Sequence, residues 1–399
     1  MNTRSADSGV APRDRDEGQG SPSAEPRGRL ESIDAFRGLT LLVMLLTPFT
    51  GSVDSVAWLR HAEWDGVTIA DVIFPTFLVG SGISLALLLR DAFERPIEVR
   101  LARLFLLLVA AGLVYNAYGT ILFGDDTLRV TGVLQTIAVA GGLAAVVIYL
   151  SGIGRHAHLP RWPVVEAVVV VTLENYQALG ATLSSVAGAD PDRCSVWFGL
   201  DRAVFPDQQL YQGGVLGFDP EGVAMMLISA TLVLTGWGVG RWVWTHRSDP
   251  LRCAGALVVA AGVLMMAGGV LDRVADPINK RLFTPSFVVF AAGAAIAVFT
   301  VVYIVVDVVP RRTDPPSRRP VVWVLVAFGR NALVVFLAER FILQTSVLVS
   351  IGDTTARNRI LAAMPGDGAP ADLALSVLLA SVVGAIVCVL HRRRLYLVL

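Results

Sequence analysis

The sequence predicts an all-α polytopic membrane protein, a bundle of about ten transmembrane helices with long extracytoplasmic loops. Three observations predict it. Hydrophobic residues fill 54% of the 399 positions and charged residues only 17%, where soluble domains carry about a quarter charged. The charges are bunched into short segments, and the stretches between them are apolar. Those stretches recur at lengths near the ~20 residues that a helix needs to cross a bilayer.

The first 30 residues are polar and rich in Pro, Gly and Ser. They hold too little apolar surface to offset chain entropy and lack the apolar core of a signal peptide, so they read as a disordered cytoplasmic tail. Residues 31–399 read as one transmembrane domain. Spanning windows follow near 36–53, 67–89, 101–118, 130–150, 162–180, 221–240, 252–270, 285–306, 321–340 and 372–390. Positive charges at 90–103, 155, 161, 241–252, 311–319 and 392–394 share one set of connections with the tail. By the positive-inside rule this is a multi-pass cell-membrane protein with both termini cytoplasmic. The longest connections, 181–219 and 341–371, fall outside and have the length of functional loops. On that side Asp219 reads as an N-cap, with Pro220 at the first helical position and Glu221 in the first turn; Thr284 and Pro285 open the next helix in the same way.

The formal net charge is zero and no basic patch is interleaved with aromatics, so no nucleic-acid partner is expected. Cys194, Cys253 and Cys388 lie far apart, without the spacing of a metal site or a disulfide framework. They read as structural thiols, as His156 and His158 read as loop residues without metal-ligand company.

Several polar residues could carry chemistry. His61 stands just before a span and is followed by Glu63, Trp64, Asp65, Thr68 and Asp71. Asp65, Thr68 and Asp71 are spaced to share a helical face. A histidine is the usual general base near neutral pH, and a carboxylate beside it fixes its tautomer. On spacing alone, His61 is equally an interfacial residue like Trp58 and Trp64. Arg330 falls near the middle of the 321–340 window, where it must face a cavity or pair with an acid such as Glu166 or Glu174. Beside it, Asn331 can both donate and accept, which suits an acyl or amide oxygen. The single lysine, Lys280, sits in a Pro-containing turn as a snorkelling cation or a site residue. Gln135 lies within a span, where it bridges helices or meets a ligand. Arg37 and Arg103, at the inner ends of spans, are positive-inside anchors or partners for a diphosphate.

Taken in order, ESIDAFRGLTLLVML, HAEWDGVTIADVIFPTFLVGSGIS, RVTGVLQTIA, FDPEG, DPINKRLFTPSFVVF and FGRNAL resemble the heparan-α-glucosaminide N-acetyltransferase family and its bacterial relatives, from about Leu30 to Arg340. The resemblance implies an acyltransferase that takes the acetyl group of cytoplasmic acetyl-CoA and passes it to an amino sugar or related glycan outside. The family's catalytic histidine maps onto His61, as general base or transient acetyl carrier. Asp65 or Asp71 would orient it, with Asn331 and Thr68 facing the oxyanion. Trp64, Asp219, Glu221, Asn279, Lys280 and Arg330 would line the acceptor pocket, and Arg37, Arg103 and Gln135 would serve acetyl-CoA. No metal is implied, the expected partners are the lipid bilayer and a small-molecule or glycan acceptor, and a homo-oligomer is left open. Asp65 stands where the family more often has Asn, and the large luminal domain and extra first helix of the lysosomal enzyme are missing. The competing expectation is a transporter or flippase of the same fold without acyl chemistry, which a midspan arginine would also suit.

Overall fold

The computed structural model describes residues 30–47, 57–89, 98–123, 127–150, 196–214, 219–309, 319–366 and 368–397. The expected tail, the 162–180 window, His156, His158, Glu166, Glu174 and Cys194 lie outside them. Helices dominate: α1 Glu31–Leu46, α2 Ile69–Leu89, α3 Glu98–Phe123, α4 Val133–Leu150, α5 Val196–Val204 and α6 Val223–Thr245. After these come α7 Pro250–Val274, α8 Pro285–Tyr303, α9 Pro320–Arg330, α10 Ala332–Leu348, α11 Ala356–Ala362 and α12 Ala369–Arg392.

Among the described residues, six helices are long and apolar enough to cross a membrane, or seven if the bent pair α9–α10 counts as one span. The all-α membrane class holds, and of the ten expected spans the described residues supply six or seven. α1 has 16 residues, about 24 Å of helix against a hydrocarbon core of roughly 30 Å. The window expected at 321–340 breaks at Asn331, where α9 and α10 meet at 79°. Nor is 341–371 a long loop. α10 runs on to Leu348, a small antiparallel hairpin pairs Ser350 with Thr355, and α11 follows.

Helix contacts follow the apolar faces. α2 packs on α6, α7 on α8, α1 on α9, and α4 on α6 and α3. The α2–α6 crossing is close because it is lined by glycines: a Cβ at Gly82 would collide with the Val233 carbonyl, and one at Gly236 with that of Val79. Small residues let helix backbones approach in this way where lipid leaves no hydrophobic drive between helices. A core of Leu41, Leu45, Phe328, Val335, Leu343 and Val383 ties α1 to α9, α10 and α12. α3 and α7 instead expose Leu106, Val114 and Ile121, and Val259, Val263 and Met266, as lipid-facing surfaces do.

Four of the helices start at a common end. Gly66 N–H, just before α2, donates to the Ile278 carbonyl just before α8 at 2.7 Å. Arg129, before α4, reaches Asp219, before α6. Thus α2, α4, α6 and α8 begin at one end of the bundle, the end that carries His61. At the other end Ser32 N–H meets the Asp307 carboxylate and Arg330 meets Asp34.

Candidate active site

The loop from Arg60 to Thr68 presents His61, and its shape follows from a few local bonds. Gly66 adopts φ +104°, a conformation open to glycine, which lets the chain turn back before α2. The turn is pinned by a bridge between Gly66 and Asn279. Thr68 Oγ1 contacts the Arg60 carbonyl at 2.5 Å and Asp71 Oδ2 at 3.0 Å, closing the loop on itself. Thr68 and Asp71 therefore hold the loop rather than lining a helical face with Asp65, since α2 starts only at Ile69.

Asp71 is the centre of the site. Its Oδ2 accepts the backbone N–H groups of Ala62 at 3.1 Å and Thr68 at 3.0 Å, and its Oδ1 lies 2.8 Å from His61 Nδ1. Pro75, four residues on, can offer the Asp71 carbonyl no N–H, so the first turn of α2 is loosened where the carboxylate sits. The Asp71 side chain is 1% exposed and that of His61 57%. A buried, fixed carboxylate thus carries an open imidazole. With Nδ1–H donated to Asp71, the Nε2 lone pair is the basic one.

Lys280 approaches from the turn before α8. Its Nζ lies 3.0 Å from His61 Nδ1, 3.3 Å from Nε2 and 3.7 Å from Asp71 Oδ1. Burial lowers its pKa below the usual lysine range, against the opposing pull of Asp71 and Glu221. Asn279 builds this turn: its Oδ1 accepts Leu282 N–H at 3.0 Å, its N–H donates to Thr284 Oγ1, and its Nδ2 reaches Asp65 Oδ1 at 3.2 Å. Asp65 is therefore a partner of Asn279, which corrects its expected role as orienter of His61. Trp64 stands at the rim under the Arg281 guanidinium, 5.9 Å from the ring centroid.

A second cluster forms where the segments before α4 and α6 meet. Asp219 Oδ1 accepts Arg129 Nη2 and Glu221 N–H, each at 2.8 Å. Its Oδ2 accepts Thr131 Oγ1 at 2.7 Å and Tyr211 N–H at 2.9 Å. Arg129 also bonds Glu221 and lies 4.9 Å from the Tyr211 ring centroid. Burial opposes its charge, but Glu221 and Asp219 outweigh that and hold its pKa above the ordinary value. Asp219 is thus a loop clasp, not the expected N-cap: α6 starts at Val223, and Asp201 accepts Val223 N–H at 2.6 Å.

The other expected site residues lie elsewhere. Arg330 is at the end of α9, not at midspan, and pairs with Asp34 Oδ2 at 3.2 Å and Tyr396 OH at 3.4 Å. Asn331 next to it is buried, with its Nδ2 on the Ala327 carbonyl. That end is remote from His61. Gly80 of α2 faces Phe36 of α1, and nine residues of helix separate it from Asp71, about 14 Å. Asn331 therefore cannot face an oxyanion formed at His61. Arg37, Arg103 and Gln135 are not brought together either. Arg37 borders Gly80, Arg103 is exposed on α3, and Gln135 is buried in the first turn of α4 against Gly112 of α3.

Arg129 and Thr131, in the RVTGVLQTIA segment, and Asp201 and Tyr211, in the long 181–219 connection, are site-end residues to which the sequence assigned no site role. Arg129 offered a signal, a basic residue ahead of a span on the side otherwise poor in positive charge. Among the described residues, no three His, Cys, Asp or Glu side chains converge as a metal site.

Residues 29–186 match the family model described as heparan-alpha-glucosaminide N-acetyltransferase, catalytic. The chain is 26% identical to human heparan-alpha-glucosaminide N-acetyltransferase, with 78% of this chain and 52% of that protein covered. It is 25% identical to the mouse protein of that name, with 78% and 53% covered. The chain thus spans about half the length of the curated relatives it matches.

Proposed function

We propose that this chain, a member of the heparan-α-glucosaminide N-acetyltransferase family, is a transmembrane N-acetyltransferase whose chemistry occurs at the His61 end of the bundle. The donor is acetyl-CoA and the acceptor the amine of an amino sugar or related glycan. The observation that carries this is the His61–Asp71 pair, an exposed imidazole on a buried carboxylate at a polar mouth.

Acetyl transfer to an amine needs an unprotonated nucleophile and a base for the proton that the nitrogen sheds. Asp71 takes Nδ1–H and holds the ring, so Nε2 faces outward to accept that proton. The amine attacks the thioester carbonyl, the C–S bond breaks, and CoA leaves as a thiolate that His61 can protonate. The arrangement serves an acetyl-imidazole route equally, with Nε2 as the attacking atom. The Lys280 ammonium is the positive group at hand for the developing oxyanion. Glu221, partly exposed beside Arg129, supplies a carboxylate for the acceptor's hydroxyl and ammonium groups. We place this mouth on the extracytoplasmic side, with acetyl-CoA entering from the Asp34 end.

Purified protein incubated with acetyl-CoA and a panel of amino sugars tests the proposal. Transfer is expected, with a loss of about 10²–10⁴-fold in His61→Ala. Full activity in a folded His61→Ala variant removes the histidine from the reaction. Arg330, which suited the transporter alternative, sits at the α9–α10 bend paired with Asp34, and acetyl transfer by the purified protein separates the two readings.

A further inference from the structure

Lys280 is the one lysine in the chain, and it places a primary amine at the base that serves the acceptor amine. Its Nζ lies 3.0 and 3.3 Å from the two ring nitrogens of His61. Like an amino-sugar acceptor it offers a primary amine, and unlike a dissolved acceptor it is tethered. Tethering raises reactivity, since a nucleophile held beside a reacting group acts at an effective concentration far above that of a dissolved one. What protects it is charge: as an ammonium it has no lone pair.

We infer that Lys280 is a site of self-acetylation, a dead-end modification of the enzyme by its own donor. The inference rests on the proposed delivery of acetyl-CoA to His61. In the step, the neutral Nζ attacks the thioester carbonyl, the new N–C bond forms, and the C–S bond breaks to release CoA thiolate. The proton lost by Nζ passes to His61 Nε2 and from there to the thiolate. The product is an uncharged amide that cannot revert through the histidine, and its added bulk fills the mouth. Transferase activity should fall in step with its formation.

The charges around the amine set the pH dependence. Asp71 on α2 and Glu221 before α6 favour the ammonium, while the neighbouring Arg281 and burial disfavour it, with burial the largest effect. The neutral amine is therefore present at lower pH than for a surface lysine, and labelling should quicken as pH rises.

The test uses the full detergent-solubilised chain with isotopically labelled acetyl-CoA and no acceptor, followed by hydroxylamine treatment and peptide mass spectrometry. Hydroxylamine strips an acetyl-imidazole or thioester and leaves an amide. The expected result is a hydroxylamine-resistant acetyl group on the Lys280 peptide, formed faster at higher pH, absent from Lys280→Arg, and slowed about a hundredfold in His61→Ala. If the protein acetylates glucosamine while Lys280 stays unmodified, the inference fails and the enzyme proposal stands. Labelling of Lys280 at an unchanged rate in His61→Ala marks adventitious chemistry and also overturns it. Neither product nor label overturns both.

Discussion

At the residue scale the site depends on one carboxylate holding one imidazole. Asp71 receives two backbone N–H groups on Oδ2 and spends Oδ1 on His61. An amide with its oxygen in the Oδ2 place would keep both backbone bonds but turn its NH₂ on the histidine; flipped, it would turn the NH₂ on both backbone donors. Asp71→Asn should therefore lower kcat by about 10²-fold or more through a misplaced tautomer. KM for acceptor should change little, because Asp71 is 1% exposed and does not meet it. Steady-state kinetics on the folded variant check this, and a change confined to KM would count against the pairing. Of these residues His61 was legible, because a histidine before a span among HAEW residues is a narrow pattern. Its partner was less so. Asp65 and Asp71 were equal candidates, and the choice is made by Gly66, whose positive φ turns the chain and aims Asp65 at Asn279 instead.

At the scale of elements, the mouth is assembled from segments that precede helices, and the clasp of Arg129 and Asp219 joins two of them. Arg129→Met would leave the buried Asp219 carboxylate short of a donor, a loss of about 1–3 kcal/mol. A drop in thermal midpoint with weaker acceptor binding is expected, because Glu221 loses the same partner. The start of α6 carries a second device. Asp201 is buried, one of its oxygens has no partner, and burial raises its pKa to about 6 in spite of the Val223 N–H. Between its ordinary value of 3.8 and about 6, the folded protein retains a proton that the unfolded chain releases. The stabilisation is therefore complete below the ordinary value and is lost as pH rises through about 6. In Asp201→Asn that decline should disappear from a plot of thermal midpoint against pH; an unaltered plot would show that Asp201 is not its source. The local signal was misleading here. Asp219-Pro220-Glu221 has the form of a helix start, yet α6 is capped by a residue more than twenty positions upstream, and such long-range partners leave no mark in a local pattern.

At the scale of the whole molecule, the apolar windows announced the spans well wherever a helix was long and straight, as in α2, α6, α7, α8 and α12. They failed at α9–α10, where Gly329-Arg330-Asn331 interrupts the apolar run and the two helices meet at 79°, an angle that a hydropathy window does not record. The bend moves Arg330 and Asn331 to the Asp34 end and leaves one polar cluster at each end of the bundle. Under the proposed function, a donor entering at the Asp34 end would have to reach His61 along α2, the helix whose first turn carries Asp71. The register of α2 against α6 sets how the segment carrying Glu221, just before α6, meets the His61 loop, just before α2. Gly82 governs that register, since any Cβ there meets the Val233 carbonyl. Gly82→Leu should push the helices apart at a cost of about 1–3 kcal/mol or more. It should also cut acetyl transfer sharply although the substituted residue is some 16 Å of helix from Asp71. Gly255 of α7, where a Cβ meets nothing, is the control: Gly255→Ala should leave transfer unchanged and stability unchanged or raised by up to about 1 kcal/mol. If Gly82→Leu transfers acetyl groups like the parent at matched stability, the α2–α6 contact does not position the site, and the His61 loop is held by its own bonds to Thr68 and Asp71 and by those to the 275–284 turn.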